Sequence, residues 1–322
     1  MAGAKGAADV AGMPLGRVVA RNAGREIKAL GREISKNKKS YLFLLPFGLI
    51  FMLFTVIPVL VSISLSFSHY NMLSPARFSG WENYIKLLND EIFIIALKNT
   101  LLFALITGPI GYLASFFMAW LINEQGRAMR VILTFIFYAP SLSGQLYIVW
   151  QILFSGDSYG YANGFLMSAG LINEPVQWLT DPAYMVPVVI VVMLWMSLGT
   201  SFLVFIAGLQ TLPKSHFEAA LVDGIKNRWQ ELWYIVLPQM KPQLMFGAVM
   251  AITNSFTIFD QITNLVGFPS TDYAAHTIVA HLVDYGVIRF EMGYASCIAT
   301  VLFLIMVGCN KGVQRLLQKV GR

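Results

Sequence analysis

Residues 218–242 read EAALVDGIKNRWQELWYIVLPQMKP and lie between two strongly apolar runs. The chain is 57% hydrophobic and only 12% charged, whereas a soluble globular chain carries about 25% charged residues. The composition is that of a membrane protein, and the quoted stretch reads as an amphipathic loop between two spans. Working outward from it, six runs approach the ~20 apolar residues that a helix needs to cross the hydrocarbon core. They cover roughly 41–67, 93–121, 131–154, 184–208, 243–264 and 290–310, and only Lys98 and Asp260 place a formal charge clearly within one. The expected fold is all-α, a polytopic membrane protein of six transmembrane helices.

An even number of spans puts both termini on one side, and the Lys/Arg bias selects that side. The segments 1–40, 122–130, 209–242 and 311–322 hold 19 of the 23 Lys and Arg residues, leaving only Arg77, Lys86, Lys98 and Arg289 elsewhere. Both termini and the quoted loop are therefore expected in the cytoplasm. The net charge of +6 is explained by topology and anionic lipid headgroups, so a nucleic-acid partner is not expected. No secretory signal pattern precedes the first run, which is expected to stay as a membrane anchor.

The domain reading has three parts: a basic leader at 1–40, a six-helix membrane domain at 41–312 containing the loop 209–242, and a cytoplasmic tail at 313–322. Residues 1–14 read as disordered. From Ala20 through Ile34 apolar residues recur at spacings of three and four with Arg and Lys interleaved, which leaves an amphipathic surface helix and a basic disordered leader both open. Residues 68–92, 155–183 and 265–289 are expected to form the opposite rim as turns and short helices.

Several chemistries are excluded. There is no GxxxxGK[ST] and no Gly-Lys dipeptide anywhere in the chain, so it cannot cradle ATP by itself. No GxSxG elbow or loop cluster of carboxylates and histidines supports a hydrolase, and the chain is not expected to be an enzyme. Cys297 and Cys309 are twelve residues apart, about 18 Å along a helix, too far for a disulfide. His69, His216, His276 and His281 fall in four different local settings without an HExxH or CxxC pattern, so no metal is expected.

In the opening stretch Ser215 is the expected cap of a first helix, Gly224 the turn after Asp223, and a second helix is expected over 227–236. Trp229, Leu232, Trp233 and Val236 would share one face, with Pro238 and Pro242 ending that helix before the next span. The run Glu218-Ala219-Ala220, Asp223-Gly224, Ile235, Leu237-Pro238 and Pro242 resembles the EAA loop of binding-protein-dependent ABC importer permeases. Gly208-Leu209 with Pro213 is similar to the approach to that loop in the carbohydrate-uptake, maltose-type branch. The likeness continues in residues 78–84 (FSGWENY), 99–101 (NTL) and 293–296 (GYAS), covering about residues 40–315.

The resemblance implies the type I importer permease architecture, a prokaryotic cell membrane location, a second permease subunit, two ATPase subunits that carry the ATP and Mg, and an external solute-binding protein. It also implies that Glu218, Ala219, Ala220, Asp223 and Gly224 form the coupling helix that docks on the ATPase. One departure stands out: the stretch from Gly224 to Leu237-Pro238 has one residue more than the usual family spacing, and Ile225 stands where Ala is usual. In an α-helix the added residue would rotate everything after it by about 100°.

Polar residues within spans face partners or an aqueous path. In the fifth run Thr253, Asn254, Thr257, Asp260, Gln261 and Asn264 fall on one stripe of a continuous helix, and Ile252 on the other face. The third run adds Tyr138, Ser141 and Gln145, and the fourth Trp195, Ser197 and Thr200. Aromatic faces with hydroxyl and amide partners suit a saccharide, and they also suit other neutral polar solutes. The expected function is the permease subunit of an ABC importer for a saccharide, an oligosaccharide foremost. An importer for another polar solute, and a secondary transporter acting alone, are the competing readings.

Overall fold

The computed structural model describes residues 36–142 and 146–318. The leader up to residue 35, Gln145 and residues 319–322 therefore lie outside the described residues. The chain divides into two compact units, one up to Val61 and one from Ser62 onward.

Among the described residues the first unit is formed by the helix α1, Lys38–Leu65, which runs on four residues past the boundary. Its 28 residues extend about 42 Å at 1.5 Å per residue, enough to cross a bilayer core of ~30 Å with tilt. It is apolar on all sides, and none of the residues Lys38–Phe51 is buried within this chain. A helix with no polar face reads as a membrane span.

The second unit opens with a two-stranded hairpin, β1 (Ser68–His69) and β2 (Arg77–Phe78), in antiparallel register with Ser68 opposite Phe78. A short helix α2, Glu82–Leu88, leads into α3, Glu91–Asn123, the 33-residue centre of the unit. Asp90 starts α3 by accepting the amide protons of Ile92 and Phe93 at 3.0 and 3.2 Å, which satisfies two of the otherwise unpaired donors of a helix start. Helices α4 (Arg127–Leu142), α5 (Tyr147–Leu153) and α6 (Tyr161–Ser168) follow. Next come α7 (Pro182–Met196), α8 (Thr200–Gln210) and α9 (Lys214–Val222).

Helix α10, Arg228–Gln239, meets α11, Lys241–Phe256, at a bend of 80°, with Pro242 in the first turn of α11. Then come α12 (Asp260–Val266), α13 (Ile278–Ile288) and α14 (Met292–Leu317). Helix α3 packs against α7, α8, α11 and α13, and α11 also packs against α14. At the end of the bundle beside α10, Phe116 of α3, Phe202 and Phe205 of α8, and Leu232 and Val236 of α10 form one buried cluster. Gly247 lets α11 approach this cluster, because a Cβ there would stand 2.4 Å from the Phe205 ring.

Among the described residues four helical stretches are long and apolar enough to cross a membrane: α1, α3, the stretch Pro182–Gln210, and α14. The fifth expected span is not continuous: it is divided between α11 and α12 with a break at Thr257–Phe259. The third is described as α4 and α5, and residues 143–145 between them lie outside the described residues. The fourth is interrupted at Ser197–Gly199. Non-helical backbone at membrane depth is tolerated only where it is buried in protein or lines an aqueous cavity, so these breaks locate a site.

Candidate functional site: a cavity at the helix breaks and an exposed loop

A cavity of about 340 Å³ opens where α4 and the two interrupted spans meet the middle of α3. Tyr138 and Ser141 reach it from α4, Ser197 and Thr200 from the break between α7 and α8, and Asn254, Thr257 and Gln261 from the two sides of the break after α11. These are seven of the ten residues expected along a solute path. Among the other three, Trp195 packs edge-on to Trp150 with ring centroids 5.3 Å apart and is 41% exposed. Asp260 is exposed in the first turn of α12 and does not join the lining. Gln145 lies outside the described residues.

The single stripe expected on the fifth span does not survive, because it presupposed a continuous helix. With the helix broken at Thr257–Phe259, Asn254, Thr257 and Gln261 reach the cavity. Asn264 does not join the lining; its side-chain amide donates to the Asp260 backbone carbonyl at 2.7 Å. Ile252 packs in the apolar core as expected of the opposite face.

The second span was missed as a contributor. Thr107, Gly108, Gly111, Tyr112 and Ser115 of α3 all line the cavity. A Cβ on Gly111 would stand 2.8 Å from the Ser197 Cβ, and one on Gly108 would stand 3.3 Å from the Ser255 hydroxyl. The small residues at 108 and 111 thus let α3 lie directly against both breaks, as small residues do at membrane helix contacts. The recurrence of Thr107, Gly111 and Ser115 every four residues was the available signal.

The loop at the other feature of interest is built as a helix, a turn and a second helix. Helix α9 starts at Lys214 after Pro213, so Ser215 lies inside its first turn and makes no cap. Its C-terminus closes with Ile225 N–H donating to Ala220 O at 3.0 Å and Gly224 N–H to Leu221 O at 3.3 Å. That pair of bonds requires a left-handed residue, and Gly224 has φ +91°. Glu218, Ala219, Asp223 and Gly224 are exposed, Ala220 is buried, and the apolar Val222 is 89% exposed.

Helix α10 begins after Asn227, whose side chain accepts the Gln230 amide proton at 2.9 Å. Residues Leu232–Val236 form a π-type turn, which takes up one residue more than an α turn. The extra residue noted in the sequence is absorbed here, so the helix reaches Leu237-Pro238 without the full rotation expected for a regular helix. The π turn also divides the expected face: Leu232 and Val236 are buried, while Trp229 and Trp233 are exposed. Trp229 packs on Trp120 at the end of α3, with centroids 5.5 Å apart. Arg228 pairs with Glu231 at 2.7 Å and faces Glu124 at 3.6 Å, further joining α10 to α3.

At the opposite end, His276 and His281 do not occupy separate settings: their rings meet 5.7 Å apart. His281 Nε2 faces Asp90 Oδ2 at 3.2 Å, and the same oxygen accepts the Tyr294 hydroxyl at 2.8 Å. Burial pushes His276 down to about 4 and lowers His281 as well, so both are neutral at pH 7. Burial would raise the Asp90 carboxyl, but bonds from Tyr294 and the Phe93 and Ile92 amides, with His281 nearby, hold it below its usual value. No group of three metal-ligating side chains exists among the described residues.

Broken helices around an uncharged polar cavity, with a helix-turn-helix projecting from the bundle, define a membrane transport subunit rather than a catalyst. Residues 109–319 match the family described as the inner membrane component of binding-protein-dependent transport systems, and the chain belongs to that family. It is 31% identical to the probable ABC transporter permease protein YesP of Bacillus subtilis, over 88% of this chain and 92% of that one. It is 28% identical to the lactose transport system permease protein LacF of Rhizobium radiobacter, over 83% and 89% of the two chains. The fold is shared with a bacterial ABC transporter involved in the import of the acidic polysaccharide alginate, at TM-score 0.70 and 22% identity, covering 91% of this chain and all of that one. The chain is an ABC transporter permease and not an enzyme.

Proposed function

We propose that this chain is the permease subunit of an ABC importer that receives a saccharide from an external binding protein and passes it to the cytoplasm. The observation that carries the reading is the convergence of hydroxyl, phenol and amide side chains on one cavity beside two helix breaks. Among relatives, LacF is named for lactose and the Bacillus subtilis AraP, 28% identical over 85% of this chain, for arabinooligosaccharides. A complex of the alginate transporter with an oligosaccharide-bound periplasmic protein has the same fold at TM-score 0.71. Both termini and the loop 209–242 face the cytoplasm of a prokaryotic cell, in keeping with the distribution of basic residues.

The loop is the coupler. Helix α9, with Glu218, Ala219, Ala220, Asp223 and Gly224, docks on a separate ATPase subunit that supplies the ATP and Mg chemistry. Two ATPase subunits and a second permease chain complete the importer, which opens the cavity alternately to the two sides. The linkage is mechanical: α9 leads through α10 and the 80° bend into α11, and the far end of α11 carries Asn254 and Ser255 of the cavity. A displacement of α9 therefore tilts the wall that holds the solute.

The test is uptake of labelled saccharide by proteoliposomes holding the complete importer. Uptake that needs ATP, the binding protein and an intact cavity supports the proposal. Uptake by this chain alone, driven by an ion gradient, would establish a secondary transporter instead.

A further inference from the structure

We infer that the cavity of this chain selects uncharged polyhydroxy solutes against anionic ones, an inference that rests on the saccharide reading above. Among the described residues no Lys, Arg, His, Asp or Glu contributes to the lining. The charged residue adjacent in sequence to a lining residue is Asp260, beside Gln261, and its carboxylate opposes an anion.

The hydroxyls add a second level of discrimination. Every serine and threonine of the lining except Thr200 donates its proton to a backbone carbonyl. Thr107 donates to Phe103 at 2.8 Å, Ser115 to Ser197 at 3.0 Å, and Thr257 to Thr253 at 2.9 Å. Ser141, Ser197, Ser201 and Ser255 are bonded in the same way. A hydroxyl whose proton is committed retains only its lone pairs, so these groups meet an incoming solute as acceptors. Tyr112 is likewise committed, donating to Leu244 O at 3.2 Å.

A sugar hydroxyl can donate to such acceptors. A carboxylate or phosphate, which only accepts, meets lone pairs and no cation. The donors left unpaired among the described residues, on Asn254, Gln261, Thr200, Tyr138 and Tyr147, are neutral dipoles that suit ring and glycosidic oxygens. They do not replace the hydration that an anion surrenders on entering the site. The chain thus combines the fold of a transporter of an acidic polysaccharide with a cavity chemistry suited to neutral sugars.

The experiment uses the complete importer in lipid nanodiscs without binding protein. Equilibrium dialysis measures binding of labelled neutral di- and trisaccharides of glucose, galactose, xylose and arabinose, with alginate trisaccharide as the acidic probe, to the wild type, Thr257→Lys and Gln261→Leu. The expected result is that at least one neutral sugar binds tenfold or more tightly than alginate trisaccharide, that Thr257→Lys narrows this ratio, and that Gln261→Leu weakens the neutral sugar. Equal or tighter binding of alginate trisaccharide to the wild type overturns the selectivity while leaving the saccharide reading intact. Neutral preference unaltered by both substitutions places the selection outside this cavity and also overturns the inference. Failure of every sugar to bind overturns the saccharide reading and the inference together.

Discussion

Thr277 donates its hydroxyl proton to the carbonyl oxygen of Ile258 at 2.8 Å. That carbonyl lies in the break between α11 and α12, where the helix no longer supplies a partner, and the Thr277 oxygen also accepts the Ala280 amide proton at the start of α13. One fully buried threonine therefore fixes the break that shapes the cavity to the rim segment above it. Thr277→Val keeps the shape and removes the donor, and should destabilise the permease by about 1–3 kcal/mol, the usual consequence of leaving a buried acceptor unpaired. Thermal unfolding and solute uptake should both fall, and Thr277→Ser should restore them. Unchanged uptake and melting in Thr277→Val would remove the threonine from this role.

The turn of the coupling loop gives a second prediction. Gly224→Asp puts a side chain at φ +91°, a conformation that costs an L-residue about 1–2 kcal/mol, and adds charge on an exposed surface. Glu218→Lys reverses the charge presented by α9. Each variant should insert normally yet lose most ATPase co-purification and uptake, with Glu218→Gln intermediate. Full uptake with the ATPase retained by both would show that the loop does not couple.

Acidification should loosen the rim around His276. This ring is 2% exposed, both its nitrogens lack a partner, and its folded value of about 4 lies below the unfolded 6.5. The unfolded chain then binds the proton more readily, so the stability contributed by neutral His276 is complete above about pH 6.5 and is lost as pH falls toward 4. The loss is on the order of 3 kcal/mol at 1.36 kcal/mol per unit. His281 moves in the same direction, with Asp90 and Asp284 opposing it. Asp90, held below 3.8, contributes stability that is present above that value and lost at still lower pH. Melting measured from pH 7.5 to 4.5 should decline in the wild type and less steeply in His276→Phe. Equal slopes would exclude His276 as a source of the acid sensitivity.

Sidedness is tested by single cysteines on a background lacking Cys297 and Cys309. An impermeant thiol reagent applied to intact cells should label Tyr161→Cys and Asp272→Cys but not Lys226→Cys. Labelling of Lys226→Cys from outside would place the loop 209–242 on the wrong side for an ATPase.

The spans were legible because each needs a long apolar run, and such runs announce themselves in a chain with few charges. The loop was legible because Gly224 and the residues around it must sit at fixed offsets to close a turn. The breaks at 197–199 and 257–259 were not, since Ser197 and Thr257 are compatible with helix, and the freed Ile258 carbonyl finds its partner in Thr277, nineteen residues away. Reading the fifth span as regular therefore put Asp260 and Asn264 on one stripe with Asn254. The π turn at Leu232–Val236 likewise hid behind an ordinary helical pattern, although the extra residue marked the place where a regular helix would fail. The Asp90–His281–Tyr294 cluster joins residues some two hundred positions apart, a distance over which local periodicity says nothing.

The most direct test of the central claim, that the solute passes the cavity at the helix breaks, is uptake of its saccharide by proteoliposomes containing the complete importer with single cavity substitutions. Asn254→Leu, Thr257→Val and Gln261→Leu each remove a polar partner from the lining. Each should reduce uptake roughly 5- to 150-fold, the equivalent of about 1–3 kcal/mol per lost hydrogen bond, with the ATPase still bound. Trp195→Phe, which alters a residue outside the lining, should transport nearly as well as the wild type. Normal uptake by all three cavity variants, with Trp195→Phe inactive, would contradict the account.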